Sequence, residues 1–284
     1  MSISINTNLT SLFASTSLQR TGNALGKSMQ RLASGLRINN AGDDPAGLAV
    51  ANRMMTQIRG LNIVKQNANE GISLTEVASA ALEETTNAIQ NIRDLALEAK
   101  SYSKSNADRT ALQLTVSELL TEIQRIATGT KYNSINLLTG SFANRSFQIG
   151  ANPGDVIKFT VNTASLVGLA LKGAGGGLSM AVSATTAAAG ISVASRTILL
   201  ADSALDSVTS LRATLSGAQS RFESIINNIS VLSDAYTSAH AGIMDTDIAK
   251  ESANLARASI IQQAGIAVLA QANQQSQQWL KLLG

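Results

Sequence analysis

The chain has no cysteine, one histidine, two prolines and 3% aromatic residues. Without cysteine there is no disulfide framework, no thiolate nucleophile and no Cys-ligated zinc, and a lone His240 excludes the multi-histidine cluster of a typical zinc enzyme. Charge is scarce too, 14% of 284 residues against a usual value of about 25%, which argues against a strongly charged disordered tail. No uninterrupted apolar run reaches the length of about 18 residues that marks a membrane span. The start, Met1-Ser-Ile-Ser-Ile-Asn6, lacks the basic and apolar portions of a secretory signal. Net charge is only +3, although Arg20, Lys27, Arg31 and Arg37 all precede the first acid, Asp43. No aromatic or arginine ladder accompanies those cations, so a nucleic-acid footprint is not expected.

What the chain does have is helix periodicity. Val208, Leu211, Leu215, Ala218, Phe222, Ile225, Ile229, Leu232, Tyr236, Ala239 and Ile243 recur in alternating steps of three and four, a seam of coiled-coil type. At a rise of about 1.5 Å per residue this seam predicts a helix of about 54 Å, too long for a compact globule. Ala78, Leu82, Thr85, Ile89, Ile92, Ala96 and Ala99 repeat the spacing within a segment predicted helical from Pro45 to Lys100. A third run, Leu112, Val116, Leu119, Ile123 and Ile126, follows Ser105-Asn-Ala-Asp108, whose hydroxyl and carboxylate can satisfy the first free N–H groups of a helix. Three helices can then share one core.

Asp43-Asp44-Pro45 predicts the start of the long helix and a joint, because Asp caps well and Pro is pre-set for the first helical position. Ahead of it, Leu18, Leu25, Met29, Leu32 and Leu36 form a separate amphipathic segment; beyond Ile243, Asp245 and Asp247 mark the start of a final helix. Phe147 and Ile149, then Ile157, Phe159 and Val161, alternate around Asn152-Pro153-Gly154-Asp155, which predicts a β-hairpin, the one β element expected. Residues 168–190, with Gly173-Ala-Gly-Gly-Gly177 and Ala187-Ala-Ala-Gly190, offer little to pack and are expected to be an exposed Gly/Ala/Ser-rich connector.

The fold expected is mainly α: an elongated coiled-coil-like helical bundle with a small β-hairpin element, plus paired terminal helices forming an inner domain. Its parts are residues 1–43 with 244–284 as the terminal-helix domain and 44–167 with 191–243 as a rod-shaped helical domain. The 168–190 connector joins the arms of that rod.

The last 27 residues, from Ala258, carry one charged side chain, Lys281, and are rich in glutamine. Such a helix has no strongly solvated face, yet it is too polar for lipid, since each buried amide needs a partner. On a free monomer Ile260, Ile261, Ile266, Val268, Leu269, Leu280 and Leu283 would be exposed, and burying each in an assembly would contribute roughly 1.5–3 kcal/mol. Subunit contacts are therefore expected at Arg31, Leu32, Leu36, Arg37 and Ile38 and at Ile260, Ile261, Ile266, Leu269, Trp279, Leu280 and Leu283. Asp43, Asp44 and Pro45 are the expected domain joint. Both termini are expected to order only on polymerisation.

No cofactor, metal or catalytic residue is expected. Gly22-Asn-Ala-Leu-Gly-Lys-Ser28 imitates a phosphate-binding loop, but its first glycine is one position too close and no strand precedes it. His240 has no second histidine or cysteine to work with, and Glu83-Glu84 reads as helix-surface charge. Trp279 is set among glutamines, which favours packing in an assembled core over a membrane anchor. The sequons at Asn8, Asn144 and Asn228 are expected by chance in an Asn- and Ser-rich chain, and hydroxyls within 179–195 are candidate O-glycan acceptors.

Long motifs at both ends resemble those of bacterial flagellins. The N-terminal ones are Ile5-Asn-Thr-Asn8, Gln30-Arg-Leu-Ala-Ser-Gly-Leu-Arg-Ile-Asn39, Asp43-Asp-Pro-Ala-Gly47 and Gln66-Asn-Ala-Asn-Glu-Gly-Ile-Ser73. The C-terminal ones are Gly217-Ala-Gln-Ser-Arg-Phe-Glu223, Ile226-Asn-Asn228, Asp247-Ile-Ala-Lys-Glu251 and Gln271-Ala-Asn-Gln274. The resemblance covers about residues 1–160 and 195–284. It implies a non-enzymatic subunit that polymerises into the extracellular flagellar filament for swimming. It further implies export unfolded through the flagellar type III apparatus, with an export chaperone, a cap and hook-associated proteins as partners beside other subunits, and no nucleic acid or membrane insertion. Variable outer domains would be missing here, and the filament thin and smooth. A hook–filament junction protein is the nearest alternative; a signalling coiled-coil hairpin fits least.

In some flagellins the segment matching Ile89-Gln-Asn-Ile-Arg-Asp-Leu-Ala-Leu-Glu98 binds a Toll-like receptor. Arg93 and Leu95 are kept, whereas the family's contacting Arg falls on Asn91 and a contacting Glu on Thr115. Loss of two charged groups implies weakened receptor binding.

Overall fold

Among the described residues, five helices and two short hairpins follow in the order α1 (Leu9–Ser34), α2 (Pro45–Ala99), α3 (Asn106–Gly129), β1 (Lys131–Tyr132), β2 (Ile135–Asn136), β3 (Arg145–Gln148), β4 (Val156–Phe159), α4 (Ala187–Met244) and α5 (Ile248–Leu283). The computed structural model describes residues 8–171, 180–184 and 186–283, the side chains of 187, 276 and 279–283 excepted. Ile5-Asn-Thr7, Gly173–Gly177 and the side chains of Trp279, Leu280 and Leu283 therefore lie outside the described residues.

Contacts divide the chain into two units, one made of Met1–Ile58 with Asp234–Gly284 and the other of Arg59–Ser233. In the second unit α2 and α4 run antiparallel, with Arg93 Nε donating to Asp202 Oδ1 at 2.7 Å and Arg212 within 3.7 Å of Glu83. The seam expected on α2 is the seam observed: Ala78, Leu82, Ile89, Ile92, Ala96 and Ala99 are fully buried, and Thr85 with them. Val208, Leu211, Leu215, Ala218, Phe222 and Ile229 are buried on α4, but Leu232 is 41% exposed, so the seam outlasts its cover. By composition alone α4 is apolar enough to cross a bilayer. Its apolar stripe is used instead in the protein core, where Ala194, Ala201, Ala204 and Val208 are shielded from solvent.

The third helix starts as its sequence predicts, with a complete capping box: Asp108 N–H donates to Ser105 Oγ at 3.2 Å and Ser105 N–H to Asp108 Oδ2 at 2.9 Å. Its buried stripe differs slightly from the expected one. Val116, Leu120, Ile123 and Ala127 are buried, whereas Leu112 and Leu119 only flank the core. Two adjacent leucines, Leu119 and Leu120, make either register possible to the pattern, and packing selected the second.

The expected hairpin is present, with Phe147 opposite Ile157 and with Ile157 and Phe159 buried while Val156 faces out. Gly154 at its tip has φ +100°, which glycine adopts without strain. A second hairpin was not expected. β1 and β2 are joined by Asn133 and Ser134, both at positive φ, the backbone of a type I′ turn. Asn-Ser signals such a turn less strongly than Asn-Gly, and two-residue strands leave almost no alternation to read.

The region expected to be an exposed connector is partly core. Leu169, Leu171, Met180 and Val182 are buried. Side chains of α3 also hold the backbone within it and just ahead of it: Gln124 Oε1 accepts from Leu166 N–H at 3.3 Å and Gln113 Oε1 from Val182 N–H at 2.6 Å. The buried Thr197 hydroxyl bonds both the N–H and the C=O of Ala181. These amide and hydroxyl partners satisfy backbone groups that burial would otherwise leave unpaired. The last helix of this unit begins at Ala187, inside the expected connector.

Candidate functional site

In the first unit the terminal helices α1 and α5 pack against each other. On α5 Glu251, Ala258 and Ala272 are buried and the half-buried Gly265 continues their seven-residue spacing, and on α1 Ala14 and Ser28 are buried with Leu18, Leu25 and Leu32 half-buried on the same helix. Small residues on this seam let the two backbones approach closely. A Cβ at Gly265 would lie 2.6 Å from Leu18 Cδ1, so a larger residue there would require the Leu18 side chain to shift. Polar bonds close the far end of the pair: Asn8 Nδ2 donates to Ala272 O at 3.0 Å and Ser11 Oγ to Asn273 Oδ1 at 2.9 Å. Asn8 also caps α1 through Ser11 N–H, so the amide of this sequon is already occupied.

Pairing through small residues leaves the large ones outside. Ile260 is 66% exposed, Ile261 50%, Ile266 54% and Val268 54%; on α1, Leu9, Leu12 and Phe13 are exposed as well. The two-helix unit thus leaves several large apolar side chains in solvent, a feature of interaction surfaces. Ile260, Ile261 and Ile266, three of the residues expected at subunit contacts, stand on that surface. Leu269 is half-buried on the side of the pair.

The Arg31–Ile38 stretch sits elsewhere, in a clip between the ends of α1, α4 and α5. Gly35, with φ +72°, ends α1 in the left-handed conformation and returns its N–H to Arg31 O. The following residues pair with the α4–α5 turn: Arg37 N–H donates to Met244 O at 2.6 Å, Thr246 N–H to Gly35 O at 2.9 Å, and Leu36 bridges Asp245. Arg37 Nη2 reaches Ile243 O at 2.6 Å, placing a cation on the last carbonyls of α4. Arg31 Nε donates to Arg37 O, its Nη1 lies 3.9 Å from the largely buried Glu251, and Ile38 is 2% exposed. Arg31, Arg37 and Ile38 thus have partners within the chain, while Leu32 and Leu36 are half-buried beside them.

At the joint, Asp44 Oδ1 caps α2 by accepting from Gly47 N–H at 2.9 Å, and Pro45 opens the helix. Gly47 leaves space for that carboxylate and for Ile38 Cδ1, which would lie 2.8 Å from an added Cβ. Asp43 Oδ2 accepts from the N–H groups of Asn39 and Asn40, and Lys27 Nζ lies 3.6 Å from Asp43 Oδ1. These backbone bonds, with Lys27 and Arg31 adding to them, hold the Asp43 carboxyl below its ordinary pKa.

In the other unit, Asn91 and Thr115 are exposed, Leu95 is half-buried and Arg93 is engaged with Asp202. Ile89 is fully buried in the helix seam and presents no side chain to a partner. One residue with a strong structural role escaped the sequence pattern altogether. Arg109 is 1% exposed, with Nε donating to Ala99 O at 2.8 Å and Nη2 to Ser101 O at 2.9 Å, so it caps the carbonyl end of α2 from within the core. Gly190 makes room for it, since a Cβ there would lie 3.0 Å from Arg109 Cδ. Nothing in the local sequence marks this arginine apart from its place in the first turn of an amphipathic helix.

Residues 5–143 match the model of the bacterial flagellin N-terminal helical region, and residues 198–283 that of the bacterial flagellin C-terminal helical region. The protein named Flagellin FlaB2 of Treponema pallidum (strain Nichols) is 37% identical, over 98% of this chain and 99% of that one. The Flagellar filament 33 kDa core protein of Treponema phagedenis is also 37% identical, with the same coverage. Flagellin B of Vibrio cholerae is 30% identical over the whole of both chains, in an alignment of 376 positions.

Proposed function

We propose an assembly mechanism from one premise: the chain belongs to the bacterial flagellin family, and it is a subunit of the flagellar filament. It polymerises with other flagellin subunits, and the family is a structural one. Beyond that, the terminal pair α1 and α5 is the inner domain of residues 1–43 with 244–284. Residues 44–167 with 191–243 form the helical rod, and the 168–190 segment replaces outer domains. Ordering of the terminal pair is coupled to assembly, because its large apolar side chains gain cover only from neighbouring copies. The observation that carries this reading is the apolar surface of Ile260, Ile261, Ile266 and Val268 left outside the small-residue seam. The Asp43–Pro45 joint lets the inner and outer tubes of the filament adjust separately.

The same reading assigns the finished polymer to the cell exterior, reached through flagellar type III export. Partners are an export chaperone, a cap and hook-associated proteins; Toll-like receptor binding is weak, through a surface in which Asn91 and Thr115 lack charge. Catalysis has no place in this mechanism; the work is mechanical transmission of torque along the polymer.

Seeded growth of the full-length protein, followed by sedimentation and electron microscopy, tests it. The unaltered chain is expected to extend seeds into long filaments, and Ile261→Asp to raise the concentration needed for growth at least tenfold, about what loss of one buried large side chain gives. Filament growth by Ile261→Asp equal to that of the unaltered chain would remove the proposed role of this surface. A junction protein, by contrast, would stop after short assemblies.

A further inference from the structure

Along the α1–α5 pair runs a groove of about 450 Å³ whose charged lining is Arg20, Lys27, Arg31 and Arg257 against Glu251 alone. Part of that charge is used within the chain, by Lys27 on Asp43 and by Arg31 on Glu251. Arg20 and Arg257 form no ion pair among the described residues, and Arg257 has only a 3.5 Å bond to Asn254 on its own helix. Two exposed cations therefore line one groove without an ion-pair partner among the described residues.

The same unit also carries acids that have no ion-pair partner among the described residues. Asp44 and Asp247 cap helices, Asp43 and Glu251 face cations, and that leaves Asp234 and Asp245, both exposed and neither in an ion pair among the described residues. Asp245 directly follows α4, where the negative end of the helix dipole disfavours a carboxylate. Arg37 already sits on the last carbonyls of α4 but forms no ion pair with Asp245 among the described residues, so the carboxylate itself is open to an external cation.

We propose that the groove between α1 and α5 accepts the carboxylates at the end of α4, Asp245 foremost, from a second copy of this chain. The inference rests on the filament reading and adds to it the charged register of one subunit on the next. Groove and acid are different patches of one molecule, so the contact is head-to-tail, and a head-to-tail contact that does not close on itself propagates as a helical polymer. Apolar surface at Ile261, on the rim of the groove, would supply affinity while the charges fix orientation.

Charge reversal in the full-length chain tests this, with the critical concentration for seeded growth at low salt as the readout. Arg20→Glu with Arg257→Glu, and separately Asp245→Lys, are each expected to raise it roughly tenfold. Combining all three reversals restores it to near the unaltered value, because each copy then meets a reversed neighbour. Added salt should narrow the differences. Reversals that grow like the unaltered chain overturn the proposal, and so does a triple variant no better than the poorer parent. Circular dichroism of each monomer checks helix content. Where a reversal unfolds, Arg20→Gln with Arg257→Gln and Asp245→Asn replace it, and growth unchanged by both neutral variants likewise overturns the proposal. If the unaltered chain fails to extend seeds at all, it is the filament reading that falls, and this contact with it.

Discussion

The ring of Phe222 in α4 lies on the bare backbone of Gly71 in α2, so close that a Cβ at Gly71 would sit 2.7 Å from Cζ. Phe222 is itself fixed by an edge-on contact with Phe147 of β3, ring centroids 5.4 Å apart, and is fully buried. Helix, helix and hairpin therefore meet at one aromatic side chain. Gly71→Ala would gain about 1 kcal/mol of helix propensity but overpack the ring at a cost of about 1–3 kcal/mol, and a net loss of stability is expected. Phe222→Ala should lose about 3–5 kcal/mol. Urea unfolding of the monomer measures both, and a Gly71→Ala protein more stable than the parent would show that the ring can move aside.

Arg109 should behave as a core residue. Replacing it by Ala removes two charge-assisted bonds to the end of α2 and leaves the Ala99 and Ser101 carbonyls without their donor, for an expected loss of about 2–4 kcal/mol. Arg109→Lys should recover only part of that, because an ammonium cannot copy the two-pronged geometry. Thermal melts of the two variants, ranked against the parent, decide it.

Acid should loosen the clip at the α1–α2 joint. The folded state lowers the pKa of Asp43, chiefly through the Asn39 and Asn40 N–H groups, so its contribution is present above the unfolded value of about 3.9 and is lost as pH falls through the lowered folded value. Asp43→Asn should therefore lower stability at neutral pH. The gap between variant and parent should close below about pH 4, in unfolding curves recorded across that range. A gap that stays constant with pH would assign the effect to something other than the carboxylate.

Hydrogen exchange should separate the two units. Backbone amides of α1 and α5 are expected to exchange rapidly in the dilute monomer and slowly in the polymer, while those of the α2–α4 seam are protected in both. Slow exchange throughout the terminal pair of a lone molecule would contradict assembly-coupled ordering.

Restoring charge should restore receptor recognition. Asn91 and Thr115 are exposed, so Asn91→Arg with Thr115→Glu can be made without disturbing the core. The double variant is expected to raise the response of Toll-like receptor reporter cells to purified monomer at least tenfold, and a parent already at full potency would refute the premise.

Much of the architecture is written locally. Strict three-and-four spacing places Ala78 to Ala99 and Val208 to Phe222 on buried seams, the capping chemistry of Ser105 and Asp108 starts α3, and Asp44-Pro45 starts α2. Each of these signals depends on residues within a turn or two, where helix geometry alone dictates who is adjacent. The exposed isoleucines of α5 were legible for the same reason: a charge-poor helix with large apolar side chains all round cannot cover them by itself. Where contacts span the chain, pattern gave no guide. The burial of Arg109 beneath Gly190, the choice of Leu120 over Leu119, the pinning of Ala181 by Thr197 and the turning inward of Arg31 and Ile38 depend on which surface arrives from a distant segment. Periodicity states which face of a helix is apolar, but only packing in three dimensions selects the partner, because burial and hydrogen-bond satisfaction are settled jointly by both sides of a contact.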